Sequence, residues 1–484
     1  MSCSGAAPAE SNVPLLKHSS SVEEDEHNNK ISRKVWIESK KLWQIAGPAI
    51  CGRLASFSMV AITQAFAGHL GDLELAAFSI VNNVIVGFDL GLLLGMASAL
   101  ETICGQAFGA KKYYLLGTYL QRSWIVLFLC CILFLPMYIF ATPVLKLLGQ
   151  SNEVAELSGV VALYTIPLHF CFAFQFPLQR FLQCQLKNAV IVWVSLAALA
   201  AHVVVSWLFV YELQLGVIGT AMTLNFSWWV LVFGQFGYVV YGGCPLTWSG
   251  FSMEAFSGLW DFAKLSASSG VMLCVESWYY KLLILMTGNL KNAEIAVDAM
   301  SICMIINTWE IMIPFGFFAA TGIRVANELG AGNGKQAKFA AIVSVTTSAI
   351  IGIFFWLLIL LFDEKLALMF TSSEPVLKAF YQLSVLLAFT VLLNSVQPIL
   401  SGVAVGSGWQ NLVAYVNVGC YYLIGVPLGI LLGWWFHLGV VGIWVGMIFG
   451  GTAIQTLILV IITIRCDWDK EAEKASMHVT KWSG

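Results

Sequence analysis

Two uninterrupted apolar runs, Ala189–Tyr211 and Ala341–Phe362, constrain this chain more than any other feature of its sequence. Each is long enough to cross a hydrocarbon core, which takes about 20 helical residues. Neither alternates with period two, so the pattern argues against a β-barrel and for helices that satisfy their own backbone. Charged residues make up 11% of the chain and hydrophobic ones 59%. A soluble domain carries roughly 25% charged residues, so no water-facing surface can be built from these. Further apolar stretches place spans near 42–66, 75–100, 120–142, 155–178, 189–211, 216–240, 262–286, 295–320, 338–362, 376–400, 411–433 and 438–464. The fold class is therefore an all-α membrane protein of twelve transmembrane helices.

The charges left between spans orient the chain. An even span number puts both termini on one side. If that side is the cytosol, its loops hold Lys111, Lys112, Arg122, Arg180, Lys187, Lys264, Arg324, Lys335 and Lys338. The opposite loops hold Lys146, Lys291, Lys365 and Lys378. This bias, with the basic stretch 30–41, matches the positive-inside rule and makes both termini cytosolic. The Ser-, Glu- and Asn-rich residues 1–35 have no apolar core, which excludes a cleaved signal and reads as a disordered tail. Residues 468–484 form a second cytosolic tail.

A self-similarity at a shift of 221 residues gives the spans an internal order. Gly95–Gly109 (GMASALETICGQAFG) matches Gly316–Gly330 (GFFAATGIRVANELG), Glu153 matches Glu374, and Pro177 matches Pro398. LGVIG at 215–219 matches LGVVG at 438–442 with slight drift. These anchors predict two pseudo-symmetric six-helix lobes in parallel orientation, residues 36–246 and 265–467, joined by a cytosolic linker over 247–264. Such a seam is where carriers place their substrates.

Ionisable groups inside spans cost at least about 2.5–3.5 kcal/mol each, so they need a partner or a role. Arg53, Asp89, Glu276, Lys281, Asp298 and Glu310 fall in this class. Glu276 lies near the middle of its span, where a carboxyl can exchange protons near neutral pH. It is the first candidate for proton coupling, with Asp298 and Glu310 beside it. Tyr280, four residues on, shares its helical face. Lys281 is expected to pair with Asp298, and Arg53 with Asp89. Gln64, Asn83, Asn307, Tyr280 and Asn394 are candidate cavity residues, since mid-span polar groups either line a cavity or bind neighbouring helices. Pro48 and Pro314 permit bending. The twelve cysteines are scattered without metal spacing, and the histidines form no ligand set. No metal, cofactor or nucleic-acid partner is therefore expected. Gly334-Lys335 lacks the rest of a phosphate loop, and no catalytic set is visible, so the chain does not read as an enzyme. Uphill transport would draw on an ion gradient.

LGDLELAA (70–77), ALETICGQAFGAKK (99–112), Gln121-Arg122-Ser123 and MIPFGFFAATGIRVANELGAGN (312–333) resemble signatures of the multidrug and toxic compound extrusion family. VLLNSVQPILSGVAVGSGWQ (391–410) is similar to its plant branch, and the resemblance spans residues 36–468. It implies a monomeric proton-coupled antiporter that moves small organic molecules, such as flavonoids, alkaloids, other secondary metabolites or xenobiotics, across the lipid of the vacuolar or plasma membrane. An organic-anion carrier or channel without strict proton exchange is the alternative. The resemblance also implies a functional acid at Glu276, within VMLCVESWYY. Asn394 stands where many plant members carry an aspartate, so no proton can be carried there.

Overall fold

The computed structural model describes residues 16–288 and 293–481. Among these, eleven helices and one bent pair are long and apolar enough to cross a membrane. Span 1 is Ile31–Leu70, span 2 Asp72–Gly109 and span 3 Tyr114–Ile139. Span 4 is the pair Asn152–Tyr164 and Ile166–Cys184, bent by 47°. Spans 5 and 6 are Asn188–Glu212 and Gly216–Gly243. Spans 7 to 10 are Leu259–Thr287, Ile295–Gly330, Gly334–Leu368 and Glu374–Ser407. Spans 11 and 12 are Gln410–Trp435 and Gly439–Arg465. All twelve expected spans are present.

Several helices run further than their apolar cores. Spans 2 and 8 continue to Gly109 and Gly330 rather than stopping near 100 and 320. Hydropathy ends where charge begins, but a helix whose charges are internally paired need not end there. Lys291 and residues 1–15 of the N-terminal tail lie outside the described residues. The tail read as disordered is helical in its backbone from Leu16 onward. At the other end, the expected tail forms a helix, Trp468–Lys481. It buries Trp468, Ala472, Ala475 and Val479 on one face, the first three against Val325, Leu329 and Ala337 of spans 8 and 9. That spacing of three and four residues is a single helical stripe.

The two largest clusters of the apolar core divide along the chain. One cluster is built almost wholly from residues 42–262, the other from residues 279–448. Between them runs the segment 244–258, with one tight turn at Met253–Phe256. It is shorter than the sequence suggested, because span 7 begins at Leu259. Polar side chains of span 3 clasp this linker. Gln121 donates to Gly250 O at 3.0 Å and accepts from Ser252 N at 2.8 Å. Arg122 donates to Glu254 O and to Ser257 Oγ at 3.0 Å.

The two lobes meet where the duplicated motif crosses itself. A shift of 221 residues carries Gly105 onto Ala326, Gln106 onto Asn327 and Gly109 onto Gly330. A Cβ at Gly105 would lie 2.6 Å from the Ala326 Cβ. Gly109 sits against the Asn327 carbonyl, and reciprocally Gly330 sits against the Gln106 carbonyl. Equivalent residues thus exchange equivalent contacts, the signature of a local two-fold axis. Small residues let the backbones of spans 2 and 8 approach this closely. Thr102 Oγ1 donates to Val405 O at 2.6 Å, and Gln106 Nε2 donates to Gly406 O at 3.2 Å, tying span 10 to the same crossing. Arg324 then bridges Glu38 of span 1 and Glu328 at 2.8 and 2.7 Å.

Placing a side chain at the crossing should therefore force the helices apart. Gly330→Val is expected to destabilise the protein by about 1–3 kcal/mol through overpacking. Gly419→Ala, with nothing within 4 Å of its added Cβ, should leave stability unchanged. Thermal unfolding of the detergent-purified variants checks this; a wild-type midpoint for Gly330→Val would refute the crossing.

Candidate functional site

The C-terminal lobe gathers a polar cluster because two of its helices are interrupted by proline. In span 10 the helix breaks after Asn394 and resumes at Gln397, since Pro398 has no N–H to continue the ladder. In span 8, Pro314 removes the hydrogen bond that the Glu310 carbonyl would otherwise accept. Into this space span 7 directs Glu276 and Tyr280. The Tyr280 hydroxyl donates to Asn394 Oδ1 at 2.8 Å, and Asn394 Nδ2 donates to Asn307 Oδ1 at 3.0 Å. Ser395 Oγ donates to Glu310 Oε1 at 3.4 Å. Gln397, whose amide donates to Ser401 Oγ at 3.2 Å, is the polar side chain beside Glu276.

Glu276 and Glu310 are 7% and 4% exposed, and each has one carboxyl oxygen, Oε2, with no partner. Neither takes part in an ion pair among the described residues. Five sequence candidates, Glu276, Tyr280, Asn307, Glu310 and Asn394, are thus brought into one neighbourhood. Asp298 is not: it is exposed, well before the cluster on span 8. Gln64 is also elsewhere, exposed and bonded to Ser79 Oγ, in a shallow surface recess with His69.

The two expected ion pairs do not form. Lys281 donates to Asn83 O at 2.9 Å rather than reaching Asp298. Asp89 pairs with His169, Nδ1 to Oδ2 2.6 Å, and accepts a bond from the Tyr138 hydroxyl at 3.0 Å. His169 Nε2 faces the Cys131 carbonyl at 2.8 Å, so it carries a proton there. Asp89 and Glu310 are 221 residues apart, hence equivalent positions of the two lobes. The lobe halves differ sharply here, for the first acid has a histidine and the second has none.

Arg53 faces a different cavity, of about 440 Å³, in the N-terminal lobe. Its charged lining consists of Arg53, Arg180 and Lys281, and Asn83 joins them. Arg180 is 3% exposed and pairs with Glu101, Nη1 to Oε2 3.1 Å. Sequence reasoning had put Arg180 in a loop and ended span 2 one residue before Glu101. Both positions are helical because the two charges cancel each other.

The MatE family model matches this chain twice, over residues 48–208 and 269–431, with starts 221 residues apart. The chain is similar to Protein DETOXIFICATION 27 of Arabidopsis thaliana, at 67% identity over 99% of this chain and 98% of that one. Protein DETOXIFICATION 26 of the same plant is 64% identical over 98% and 96%. The chain belongs to the multidrug and toxic compound extrusion family. Its members are transporters, not enzymes. The crystal structure of the eukaryotic MATE transporter AtDTX14 superposes with a TM-score of 0.85 at 34% identity, covering 92% of this chain and 99% of that one. A MATE in the bent conformation, 16% identical, shares the fold with a TM-score of 0.81 over 91% and 97%.

Within this MATE transporter, the Asp89–His169 pair is a buried charge system whose removal on one side leaves the other stranded. His169→Leu is expected to cost about 3–5 kcal/mol, with most of it recovered in the Asp89→Leu/His169→Leu double variant. Thermal unfolding of the three proteins forms the test. Equal midpoints for wild type and His169→Leu would contradict the pairing.

Proposed function

We propose that this transporter is a proton-coupled antiporter that exports organic compounds from the cytosol, with Glu276 as its principal proton carrier. The observation behind this reading is the pair of buried carboxyls, Glu276 and Glu310, that have no ion-pair partner among the described residues. A carboxylate buried without countercharge is costly, and binding a proton removes that cost. Deprotonation restores it and requires new donors or water. The cluster supplies candidate donors: the Gln397 amide beside Glu276, and the Tyr280–Asn394–Asn307 chain that links spans 7, 8 and 10.

The coupling then runs through hydrogen-bond exchange. With Glu276 neutral, the chain from Tyr280 to Asn307 closes on itself. With Glu276 charged, the nearby donors are drawn to it and the contacts between spans 7 and 10 change. A proton can shift the balance between two conformations only by its different affinity for them. A lobe whose acid gains or loses donors as the helices shift meets that condition. Asn394 contributes a hydrogen-bond relay in place of a second titrating group. Glu310 shares the low-dielectric site and carries the second proton position.

The basic loop bias supports cytosolic termini, and export from the cytosol is what the extrusion family's name implies. The family signatures support flavonoids, alkaloids, other secondary metabolites or xenobiotics as cargo, and the relatives' name, DETOXIFICATION, is in keeping with the last of these. The vacuolar or plasma membrane is the expected location.

Proton coupling is tested in proteoliposomes with an imposed pH gradient, following efflux of a fluorescent organic substrate. Glu276→Gln fixes the neutral form and is expected to lower gradient-driven flux at least about tenfold, while purifying as a folded protein. Wild-type flux in that variant would refute the role of Glu276. Flux that follows membrane potential and ignores the pH gradient would instead indicate an organic-anion carrier.

A further inference from the structure

Among the described residues, the cavity of the N-terminal lobe carries more positive charge than its neighbouring carboxylates cancel. Arg53, Arg180 and Lys281 all line it, and no carboxylate does. Glu101 lies behind Arg180 and is the acid that both guanidiniums feel. Two guanidiniums thus share one carboxylate, and Lys281 has only the Asn83 carbonyl, a neutral acceptor. Among the described residues, neither Arg53 nor Lys281 forms an ion pair. Arg53 instead stands over the Phe315 ring, 5.3 Å from its centroid. A guanidinium cannot shed its proton to escape this situation. Its charge must be met by water or by an anion.

The remaining walls suit an organic body. Phe57, Phe176 and Trp228 supply aromatic surface, and the Gln175 side chain, 3% exposed, has an amide oxygen without a partner. The volume of about 440 Å³ lies within the range of sites that enclose drug-sized ligands. We propose that this cavity binds organic anions, an aromatic or aliphatic body bearing a carboxylate, sulfate or phosphate, with Arg53 and Lys281 holding the anionic group. The inference rests on the transporter reading and narrows its cargo to negatively charged compounds. Arg180 stays with Glu101 and sets the position of span 4 against span 2. Guanidinium and carboxylate or phosphate are matched in geometry, since two parallel N–H bonds can be made at once. An organic cation would meet like charge on every titratable side chain of the lining and is disfavoured.

The experiment measures binding of fluorescein, an aromatic anion, to the purified full-length protein in phosphatidylcholine nanodiscs by fluorescence anisotropy. No pH gradient is present, so failure of proton coupling leaves the readout intact, and failure of binding leaves proton coupling standing. Wild type is expected to bind fluorescein saturably and to bind the cationic dye rhodamine 6G at least about tenfold more weakly. Losing one charge-assisted hydrogen bond corresponds to about a tenfold loss of affinity. Arg53→Gln and Lys281→Gln should each show that loss, and Lys281→Arg should bind as wild type does. The Lys281 side chain is exposed to the cavity, so its variants keep the test decisive if Arg53→Gln does not fold. Equal fluorescein affinity in wild type and both Gln variants overturns the proposal, as does tighter binding of rhodamine 6G than of fluorescein. A lipid headgroup carries the same anionic chemistry. Complete loss of fluorescein binding when half the lipid is replaced by phosphatidylglycerol would assign the site to lipid and overturn a soluble cargo.

Discussion

The cost of an unpaired charge in hydrocarbon governs this molecule more than any packing detail. Each ionisable group inside a span must be paired, made neutral by a proton, or placed on a wet surface. The paired groups hold the architecture together: Glu101 with Arg180 between spans 2 and 4, Asp89 with His169 between the same two, Glu38 with Arg324 between the lobes. What remains after that sorting is a short list. Glu276 and Glu310 remain in the C-terminal lobe, and Arg53 and Lys281 remain on the cavity of the N-terminal lobe. These groups without ion-pair partners are the ones on which the proposed function rests.

Duplication sharpens the contrast. Two copies of one six-helix unit cross on a local two-fold axis, where Gly109 and Gly330 take reciprocal places against Asn327 and Gln106. Away from the axis the copies have diverged. The acid shared by both, Asp89 and Glu310, is neutralised by a histidine in one lobe and left alone in the other. The crossing is symmetric, whereas the polar chemistry on either side of it is not: a hydrogen-bonded Asp89–His169 pair in one lobe, and in the other an acid with no ion-pair partner among the described residues.

Much of this was readable from the chain before its structure. Spans were legible because about 20 apolar residues in a row have few alternatives, and the repeat was legible because GMASALETICGQAFG returns as GFFAATGIRVANELG. Helical spacing also placed Tyr280 beside Glu276. Partner choice was not legible. Whether Asp89 meets Arg53 or His169 depends on the rotation of spans 2 and 4 about their axes, which hydropathy does not encode. His169 was passed over because a lone histidine in an apolar run has no spacing signal. Glu101 and Arg180 were hidden differently, since a pair that cancels within the bundle looks, in sequence, like two loop charges. The acid inside ALETICGQAFG was the one available hint.

Span 7 joins the two kinds of unpaired charge. Glu276 and Lys281 are five residues apart, which turns them by about 140° around the helix. Glu276 accordingly faces into the C-terminal lobe, and Lys281 reaches across to the cavity of the N-terminal lobe. Any shift or rotation of this helix that follows a change at Glu276 must move Lys281 as well. Tyr279, on the same helix, stacks on Tyr421 of span 11 at 4.4 Å between centroids. In the proposed mechanism, proton and anion therefore act on opposite faces of one helix, about a turn and a half apart.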